Sequence, residues 1–529
     1  MAADKRFSKI LILIIGLLVG FQIGKWLTSS SISEFNKVES VLKLTQQYYI
    51  DEIDPDTLSE TAIEGILSKL DPHSTYIPAD IQEVIEEEFE GNFEGIGIEF
   101  QIIDDTITVI SPIIGGPSEE LGIQPGDKII GIEDSSAVGF SNTDVVRMLR
   151  GEKGSEVKIS IYRPSLDELF DFTITRDVIP INSLETSFIV QDSVGYVRLS
   201  RFAEKTTDEL KSALSDLSNG GMKYLVLDLR NNPGGYLDQS VSISDLFIDG
   251  EKLIVFTDGR ISEFDEEFKA SVASQYEDIP LIILINRGSA SASEIVSGAV
   301  QDWDRGLIIG ETSFGKGLVQ RSFLLSDNSA VRLTISEYFT PSGRAIQRPY
   351  TDKKSYYAEI MNRTNDSTTA IHDSTDLADP VYETANGRKV YSNGGIEPDY
   401  FVKTSDLTNF TASVRSKNLF YHFIRSQIDD GNLIVPDNFQ NNLSEFSSHV
   451  IITDEVINSF KIFLQSKNVE INENEFSNDI GYIKDILKAY LARDIFNSKG
   501  WYMTLLNQDE PFREALLRLN EAKEMLKNY

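Results

Sequence analysis

The 529-residue chain has no cysteine, only four histidines, and far fewer basic than acidic residues. Without cysteine it can form no disulfide, no thiolate metal site and no thiol nucleophile. None of the histidines lies in a metal-ligand spacing such as HExxH, so we expect no bound metal and no metallohydrolase. The formal net charge of −34 argues against a nucleic-acid partner, because binding nucleic acid requires a basic surface. Because hydrophobic residues make up 41 % of the chain, we expect globular domains.

The first 30 residues have the pattern of a targeting segment. Three basic residues at positions 5, 6 and 9 precede an apolar run that covers residues 10–27 with few interruptions. Positive charge before an apolar stretch keeps the N-terminus in the cytoplasm and sends the rest of the chain outward. We expect a retained membrane anchor, and a cleaved signal peptide is the alternative. Glycines at 16, 20 and 24 match a helix-dimerisation motif, or simply reflect the abundance of glycine in such segments.

Residues 31–90 have near-helical apolar spacing, whereas residues 91–176 have the pattern of a small β-rich domain. In the second region, a glycine-rich turn runs into a strand, a Pro-Gly turn enters a buried strand, and a short helix follows. This order resembles a PDZ domain, and any small β-barrel with a glycine bend is the alternative. The resemblance implies a loop that binds C-terminal carboxylates through backbone N–H groups, formed by Gly95, Ile96, Gly97 and Ile98.

Residues 177–405 show buried strands that alternate with helices. Apolar runs at 224–229, 281–285 and 307–309 predict strands that are covered on both faces, and the intervening helices predict a parallel sheet. Functional groups gather at the carboxyl ends of such strands, where Ser291 and the Asn232–Gly235 turn lie. Residues 406–529 are predicted to form a mostly helical extension, in which we find no catalytic signal.

Ser291 and Lys316 form the most informative pair in this core. A serine hydroxyl becomes a nucleophile when a neighbouring base takes its proton, and a neutral, desolvated lysine is able to do so. Ser291 and Glu294 also fit a helix capping box, which is a structural alternative. By residue type, Ser289 and Ser293 are rival nucleophiles.

Two further motifs have alternative interpretations. Lys316 ends a GxxxxGK pattern, but Gly317 replaces the Ser or Thr of a P-loop, and a strand-like segment follows in place of a helix. The turn at Gly234 and Gly235 is either merely tight or supplies an oxyanion donor, with the Ala292 N–H as the second donor. His73 lies beside a proline, where a turn role competes with that of a base.

From about residue 35 to 405, the chain resembles the C-terminal processing peptidases, also called tail-specific proteases. The resemblance rests on segments 70–74, 228–235, 288–294 and 338–343, on the PDZ-like region, and on Gly315-Lys316-Gly317 with Gln320. It implies a multidomain α/β protein: a crotonase-like α/β protease core, an inserted PDZ domain, an N-terminal helical segment and a C-terminal helical extension. It also assigns the nucleophile to Ser291, the general base to Lys316 and its orienting partner to Gln320, with no cofactor.

The resemblance thereby implies a serine endopeptidase of the bacterial cell envelope, anchored in the inner membrane or exported to the periplasm. It would cleave proteins near their C-termini, after its PDZ domain recognises exposed apolar tails. A homo-oligomer is compatible with the dimerisation motif at residues 16–24. The alternative is a catalytically dormant PDZ-based binding or scaffold protein. Asp302 is expected to structure the end of its helix. The chain departs from the family pattern between Thr351 and Asp379 and beyond residue 405.

Overall fold

The computed structural model describes residues 36–362 and 380–529, except residues 192, 272, 393, 405 and 434. The predicted anchor at residues 1–30 lies outside this range. Among the described residues, no helix combines the length and the apolar character needed to cross a membrane. The described chain divides into two units: one comprises residues 36–78 and 322–333, and the other comprises residues 79–321 and 334–529.

The first unit contains helix α1 (36–48), helix α2 (Pro55–Leu67) and strand β1 (Thr75–Ile77). Asp54 caps α2 by accepting a hydrogen bond from the Thr57 N–H. Strand β1 pairs antiparallel with residues 330–332, which lie within the predicted protease core. The Asp71 carboxylate accepts hydrogen bonds from the backbone N–H groups of His73 and Ser74, so the segment before β1 is an organised turn.

The second unit begins with helix α3 (Ala79–Glu90) and the β-rich domain. Its main sheet has the order β3-β4-β5-β7-β8, so β3 is paired on one edge only; β6 pairs with β5, and β2 pairs with β9. A core of buried aliphatic side chains fills it. The elements are β2 (Asn92–Gly95), β3 (Ile98–Ile103), β4 (Thr106–Pro112), α4 (Pro117–Glu120), β5 (Lys128–Ile132), β6 (Ser135–Ser136), α5 (Asn142–Leu149), β7 (Glu156–Arg163), β8 (Glu168–Thr175) and β9 (Asp177–Pro180).

The next region is built on a six-stranded sheet in the order β10-β11-β12-β15-β16-β21. Only the β10–β11 pair in this sheet is antiparallel. Its strands are β10 (Leu184–Val190), β11 (Val194–Leu199), β12 (Tyr224–Asp228), β15 (Leu281–Ile285), β16 (Leu307–Gly310) and β21 (Tyr400–Phe401). The crossover helices α6 (Thr206–Asn219), α7 (Leu237–Asp245) and α8 (Ala292–Asp302) pack on one face in a large apolar core. The predicted parallel α/β core is confirmed.

The remaining elements of this region lie outside the parallel sheet. They are β13 (Leu253–Gly259), β14 (Glu266–Lys269), β17 (Leu318–Leu324), β18 (Ala330–Phe339), α9 (Lys353–Asn362), β19 (Val381–Glu383) and β20 (Lys389–Tyr391). Strand β13 pairs antiparallel with β14 and, at residues 256–259, with residues 336–339 of β18.

The C-terminal region is helical, as predicted, and it has two packing roles. Its helices are α10 (Asn409–Ser416), α11 (Leu419–Asp429), α12 (Asp437–Gln440), α13 (Leu443–His449), α14 (Asp454–Ser466), α15 (Glu473–Asn478), α16 (Ile480–Leu505), α17 (Glu510–Leu517) and α18 (Leu519–Asn528). Helices α10 to α16 share an apolar core of their own. Side chains between Tyr502 and Met525 instead cover the second face of the parallel sheet, so the end of the chain completes the core of the α/β region.

The C-terminal helices also contact the β-rich domain. Arg493 donates to both carboxylate oxygens of Glu99 on β3, at 2.6 and 2.7 Å. Lys467 forms an ion pair with Asp104, at 2.7 Å. A side chain at Gly126 would clash with the Arg425 guanidinium, because the Cβ position lies 2.6 Å from Cζ. The β-rich domain therefore packs against the C-terminal helices through charged contacts.

Candidate active site

Three loops meet at the carboxyl ends of neighbouring parallel strands. They are residues 230–235 after β12, residues 286–291 after β15, and residues 311–317 after β16. Hydrogen bonds join them directly: the Ala290 N–H donates to the Asn232 carbonyl at 3.0 Å, and the Phe314 N–H donates to the Ser289 carbonyl at 2.8 Å. The sheet thus brings together the residues that the sequence places far apart.

Ser291 lies at the start of helix α8 in a strained conformation. Its φ of 55° and ψ of −113° are rare for a residue with a side chain, and such strain is concentrated at functional sites. The Ser291 N–H donates to the Glu294 carboxylate at 2.8 Å. Its carbonyl accepts from the N–H groups of Glu294 and Ile295. Backbone hydrogen bonds therefore hold Ser291 in place at the helix start.

The two rival serines have structural partners. Ser289 and Ser293 are both fully buried. The Ser289 hydroxyl donates to the Leu229 carbonyl at 2.8 Å, and the Ser293 hydroxyl donates to the Asn232 carbonyl at 2.9 Å. Ser291, by contrast, is partly exposed. Of the three serines, the geometry favours Ser291 as the one that substrate can reach.

The Glu294 carboxylate links Ser291 to Lys316. One of its oxygens accepts from the Ser291 N–H at 2.8 Å and from the Lys316 N–H at 2.9 Å, so the two nitrogens lie less than about 6 Å apart. The other oxygen accepts from the Gly315 N–H at 2.6 Å and from the Ser313 hydroxyl. Complete burial raises the pKa of Glu294, and these hydrogen bonds oppose that rise. The sequence revealed only a capping glutamate here.

Tyr338 links the same two residues from the other side, a role that no sequence pattern predicted. Its hydroxyl lies between the carbonyl oxygens of Ser291, at 3.1 Å, and of Lys316. The side chain is 1 % exposed, and burial raises its pKa well above the ordinary value for tyrosine. A neutral hydroxyl therefore holds the backbones of both residues.

The glycines beside Lys316 allow close packing, as their sequence positions suggested. A Cβ at Gly315 would lie 2.4 Å from Cγ of Arg348, and a Cβ at Gly317 would lie 2.8 Å from the Gln347 nitrogen. The segment that follows is strand β17, which excludes a P-loop because that motif opens into a helix. Lys316 lies in a packed loop between two strands.

Gln320 lies near the start of strand β17, and Asp302 is the last residue of helix α8. The Gln320 side-chain amide donates to the Leu318 carbonyl at 3.0 Å, and its predicted role toward Lys316 stays a prediction. Asp302, at the end of α8, accepts from the Ser342 N–H at 3.0 Å and forms an ion pair with Arg344 at 2.7 Å. These contacts give Asp302 the structural role that we expected.

The predicted oxyanion donors lie beside Ser291. A Cβ at Gly234 would lie 2.8 Å from Cβ of Ser291, so only glycine allows this approach. The Gly234 N–H already donates to the Asn232 side-chain oxygen at 2.9 Å. Within the described residues, the N–H groups of Gly235 and Ala292 have no such acceptor. Of the predicted oxyanion donors, these two N–H groups are therefore the ones that lack an internal acceptor, and their role stays a prediction.

The predicted carboxylate loop of the β-rich domain connects β2 to β3. The Ile96 carbonyl accepts from the Ser118 hydroxyl at 2.5 Å, and the Gly97 carbonyl accepts from the Ile113 N–H at 2.9 Å. Gly97 has a φ of 72°, which favours glycine. Among the described residues, no backbone carbonyl accepts a hydrogen bond from the Ile96 or Gly97 N–H group. The loop is thus anchored through its carbonyls.

Family models match successive parts of the chain. They are described as the activating protease CtpB N-terminal domain, for residues 22–81; the PDZ domain, for residues 84–162; peptidase family S41, for residues 193–353; and a family of unknown function, for residues 410–497. The predicted PDZ domain is confirmed. The fourth match lies in the C-terminal helices.

Curated relatives match more than half of the chain. The chain is 40 % identical over 312 residues to a carboxy-terminal-processing protease of Bartonella bacilliformis, which is 58 % of this chain and 71 % of the relative. It is 34 % identical over 330 residues to the carboxy-terminal processing protease CtpA of Bacillus subtilis, which is 62 % and 69 %. Among solved structures, a photosystem II D1 C-terminal processing protease matches 60 % of this chain and 90 % of its own, with 29 % identity and a TM-score of 0.34. The chain is a serine-type peptidase and belongs to peptidase family S41, among the carboxy-terminal processing proteases.

Proposed function

We propose that the protein is a serine endopeptidase that cleaves proteins near their C-termini with a Ser291–Lys316 dyad. The observation that carries this proposal is the double link between the two residues. The Glu294 carboxylate accepts from both of their N–H groups, and the Tyr338 hydroxyl lies between both of their carbonyl oxygens. Two independent side chains therefore fix the backbone of the nucleophile relative to that of the base.

The proposed mechanism needs no cofactor. Neutral Lys316 takes the Ser291 hydroxyl proton, and the oxygen attacks the substrate carbonyl. The N–H groups of Ala292 and Gly235 stabilise the oxyanion, and each donor contributes about 3 kcal/mol to the transition state. The protonated lysine then gives its proton to the leaving amine. Water hydrolyses the acyl-enzyme with the same lysine as base. Gln320 orients the lysine side chain.

We propose that the PDZ domain presents substrate tails to this site. The N–H groups of the loop from Gly95 to Ile98 would bind the terminal carboxylate, and the peptide would add as a strand to the open edge of β3. We expect the C-terminal residues that this domain recognises to be apolar. Calorimetry on the full Ser291→Ala chain tests this step, because acid peptides should bind and C-terminally amidated peptides should bind much more weakly. Equal affinities would remove carboxylate recognition from the proposal.

We also propose a location in the bacterial cell envelope. Residues 10–27 would anchor the chain in the inner membrane and leave the catalytic domain in the periplasm, or a cleaved signal would release it there. The basic residues before the apolar run support this orientation. Association of the anchors through their glycines would give a homo-oligomer.

Incubation with an unstructured protein that bears an apolar C-terminal tail tests the activity. The wild-type chain should shorten this protein, whereas the Ser291→Ala and Lys316→Ala variants should not. If the wild-type chain binds the tail and leaves the protein intact, the alternative function applies, which is that of a catalytically dormant binding protein.

A further inference from the structure

A buried charge network lies behind the loop at residues 230–235. Asp228, at the end of β12, is fully buried. Its carboxylate accepts from the guanidinium of Arg230 at 2.6 Å and pairs with that of Arg198 at 2.9 Å. The Tyr196 hydroxyl donates to it as well, at 2.6 Å. These two guanidinium groups lower the pKa of Asp228 below its usual value, although burial opposes this.

Besides the shared Asp228 carboxylate, each of the two guanidinium groups has a second carboxylate partner. Glu185 accepts from Arg198 Nε at 2.6 Å. Asp509 accepts from Arg230 Nη1 with both of its oxygens, at 2.9 and 2.7 Å. Nε and Nη2 of the same guanidinium group donate to the two oxygens of Asp228, at 3.0 and 2.6 Å, so the two carboxylates together fix its orientation.

Asp509 comes from the C-terminal region, 279 residues beyond Arg230. It is the N-cap residue of α17, where its carboxylate also accepts from the Phe512 N–H at 2.8 Å. Arg230 directly precedes the turn that holds the predicted oxyanion donors. The last part of the chain thus supplies a charge to the inner side of the catalytic loop.

The loop depends on Arg230 through a chain of short contacts. The Arg230 N–H donates to the Asp228 carboxylate at 2.9 Å, and the Arg230 carbonyl accepts from Arg198 at 3.0 Å. The next residue, Asn231, has a φ of 59°, and its N–H donates to the Asn286 side chain at 2.9 Å. A shift of Arg230 would therefore pass directly to a strained backbone beside the active serine.

We infer that Asp509 is a positioning residue for the oxyanion loop, acting through Arg230. This inference rests on the proposed function, since it concerns the loop that would hold the substrate oxyanion. Asp509 neither touches substrate nor transfers a proton. It holds the guanidinium that fixes the Arg230 backbone, and through it the donors beside Ser291. The C-terminal region thereby becomes part of the catalytic apparatus.

The substitution Asp509→Asn separates this role from helix capping. Asparagine caps helices about as well as aspartate, so α17 keeps its N-cap while Arg230 loses the compensating charge. Thr453→Ala is the matched control, because Thr453 caps α14 in the same C-terminal region without contacting the network. If Asp509 acted only as a helix cap, Asp509→Asn would behave as wild type.

Hydrogen exchange of the full chain measures the protection of the loop backbone and does not depend on activity. Mass spectrometry of peptides that cover residues 229–236 gives the exchange rate. We expect faster exchange in Asp509→Asn than in wild type, and wild-type exchange in Thr453→Ala. Cleavage of the tailed protein should show a kcat about tenfold lower in Asp509→Asn, with KM within twofold of wild type. This is less than the roughly 100-fold to 1,000-fold loss on removal of a whole oxyanion donor.

Unchanged loop exchange in Asp509→Asn would overturn the inference, as would equal changes in both variants. Failure of the wild-type chain to cleave refutes the proposed function separately, because the exchange result stands without cleavage. Asp509→Glu should restore part of the loop protection, since it returns the charge at a slightly different distance.

Discussion

Replacement of Glu294 by glutamine should damage the active site more than the loss of one charge implies. The fully buried carboxylate accepts hydrogen bonds from three backbone N–H groups and one hydroxyl. A glutamine side chain keeps one acceptor oxygen and replaces the other with an NH2 donor. If the oxygen remains toward Gly315, the NH2 group faces the N–H groups of Ser291 and Lys316.

The magnitude follows from these contacts. Each buried donor without an acceptor costs about 1–3 kcal/mol, so two such donors in a rigid site cost about 2–6 kcal/mol. The site relieves part of this cost by moving Ser291 and Lys316 apart. A misplacement of about 1 Å lowers the rate of a catalysed reaction roughly 100-fold. We therefore expect kcat of Glu294→Gln to fall at least about 100-fold, with a loss of about 2 kcal/mol in the free energy of unfolding.

Steady-state cleavage and urea denaturation of the purified chain measure the two effects. Glu337→Gln is a matched control, because Glu337 is exposed and lies beside Tyr338 in the sequence. The control should behave as wild type in both assays. A Glu294→Gln variant with kcat within threefold of wild type and unchanged stability would refute the role assigned to this carboxylate.

Three further predictions follow from the same geometry. Lys316→Arg should be nearly as inactive as Lys316→Ala in the cleavage assay, because arginine stays protonated near neutral pH; substantial cleavage would exclude lysine as the base. Ser289→Ala and Ser293→Ala should keep kcat within about threefold while each loses about 1 kcal/mol in urea denaturation, since their hydroxyls donate to buried carbonyls. Because the folded-state pKa of Asp228 is lowered, its stabilisation is present above the unfolded pKa of about 4 and is lost as pH falls below it. Asp228→Asn should thus lose about 3–5 kcal/mol at pH 7 and show weaker acid dependence in denaturation series, whereas a wild-type pH profile would contradict this.

Local sequence patterns predicted the elements that carry the site. The strand at residues 281–285 is a continuous apolar run bounded by Pro280 and Asn286, and its predicted limits match the structure. The helix that begins after Ser291 was likewise evident from the Ser-x-x-Glu pattern. Such signals depend on neighbouring residues, so one sequence is enough to reveal them.

The contacts that hold the site depend on residues that are distant in the chain. Tyr338 lies 47 residues beyond Ser291, and Asp509 lies 279 residues beyond Arg230. Helical periodicity predicted the C-terminal helices, but it does not state which surface an apolar face covers. The packing of residues 502–525 on the parallel sheet was for this reason visible only in the structure.

The most direct test of the central claim is to locate the acyl group during turnover. The wild-type chain would be incubated with an activated peptide ester, quenched in acid, digested and analysed by mass spectrometry. The account predicts a covalent acyl group on Ser291, formed in the wild-type chain and absent from Ser291→Ala and Lys316→Ala. An acyl group on another residue, or cleavage by the Ser291→Ala variant at the wild-type rate, would contradict it.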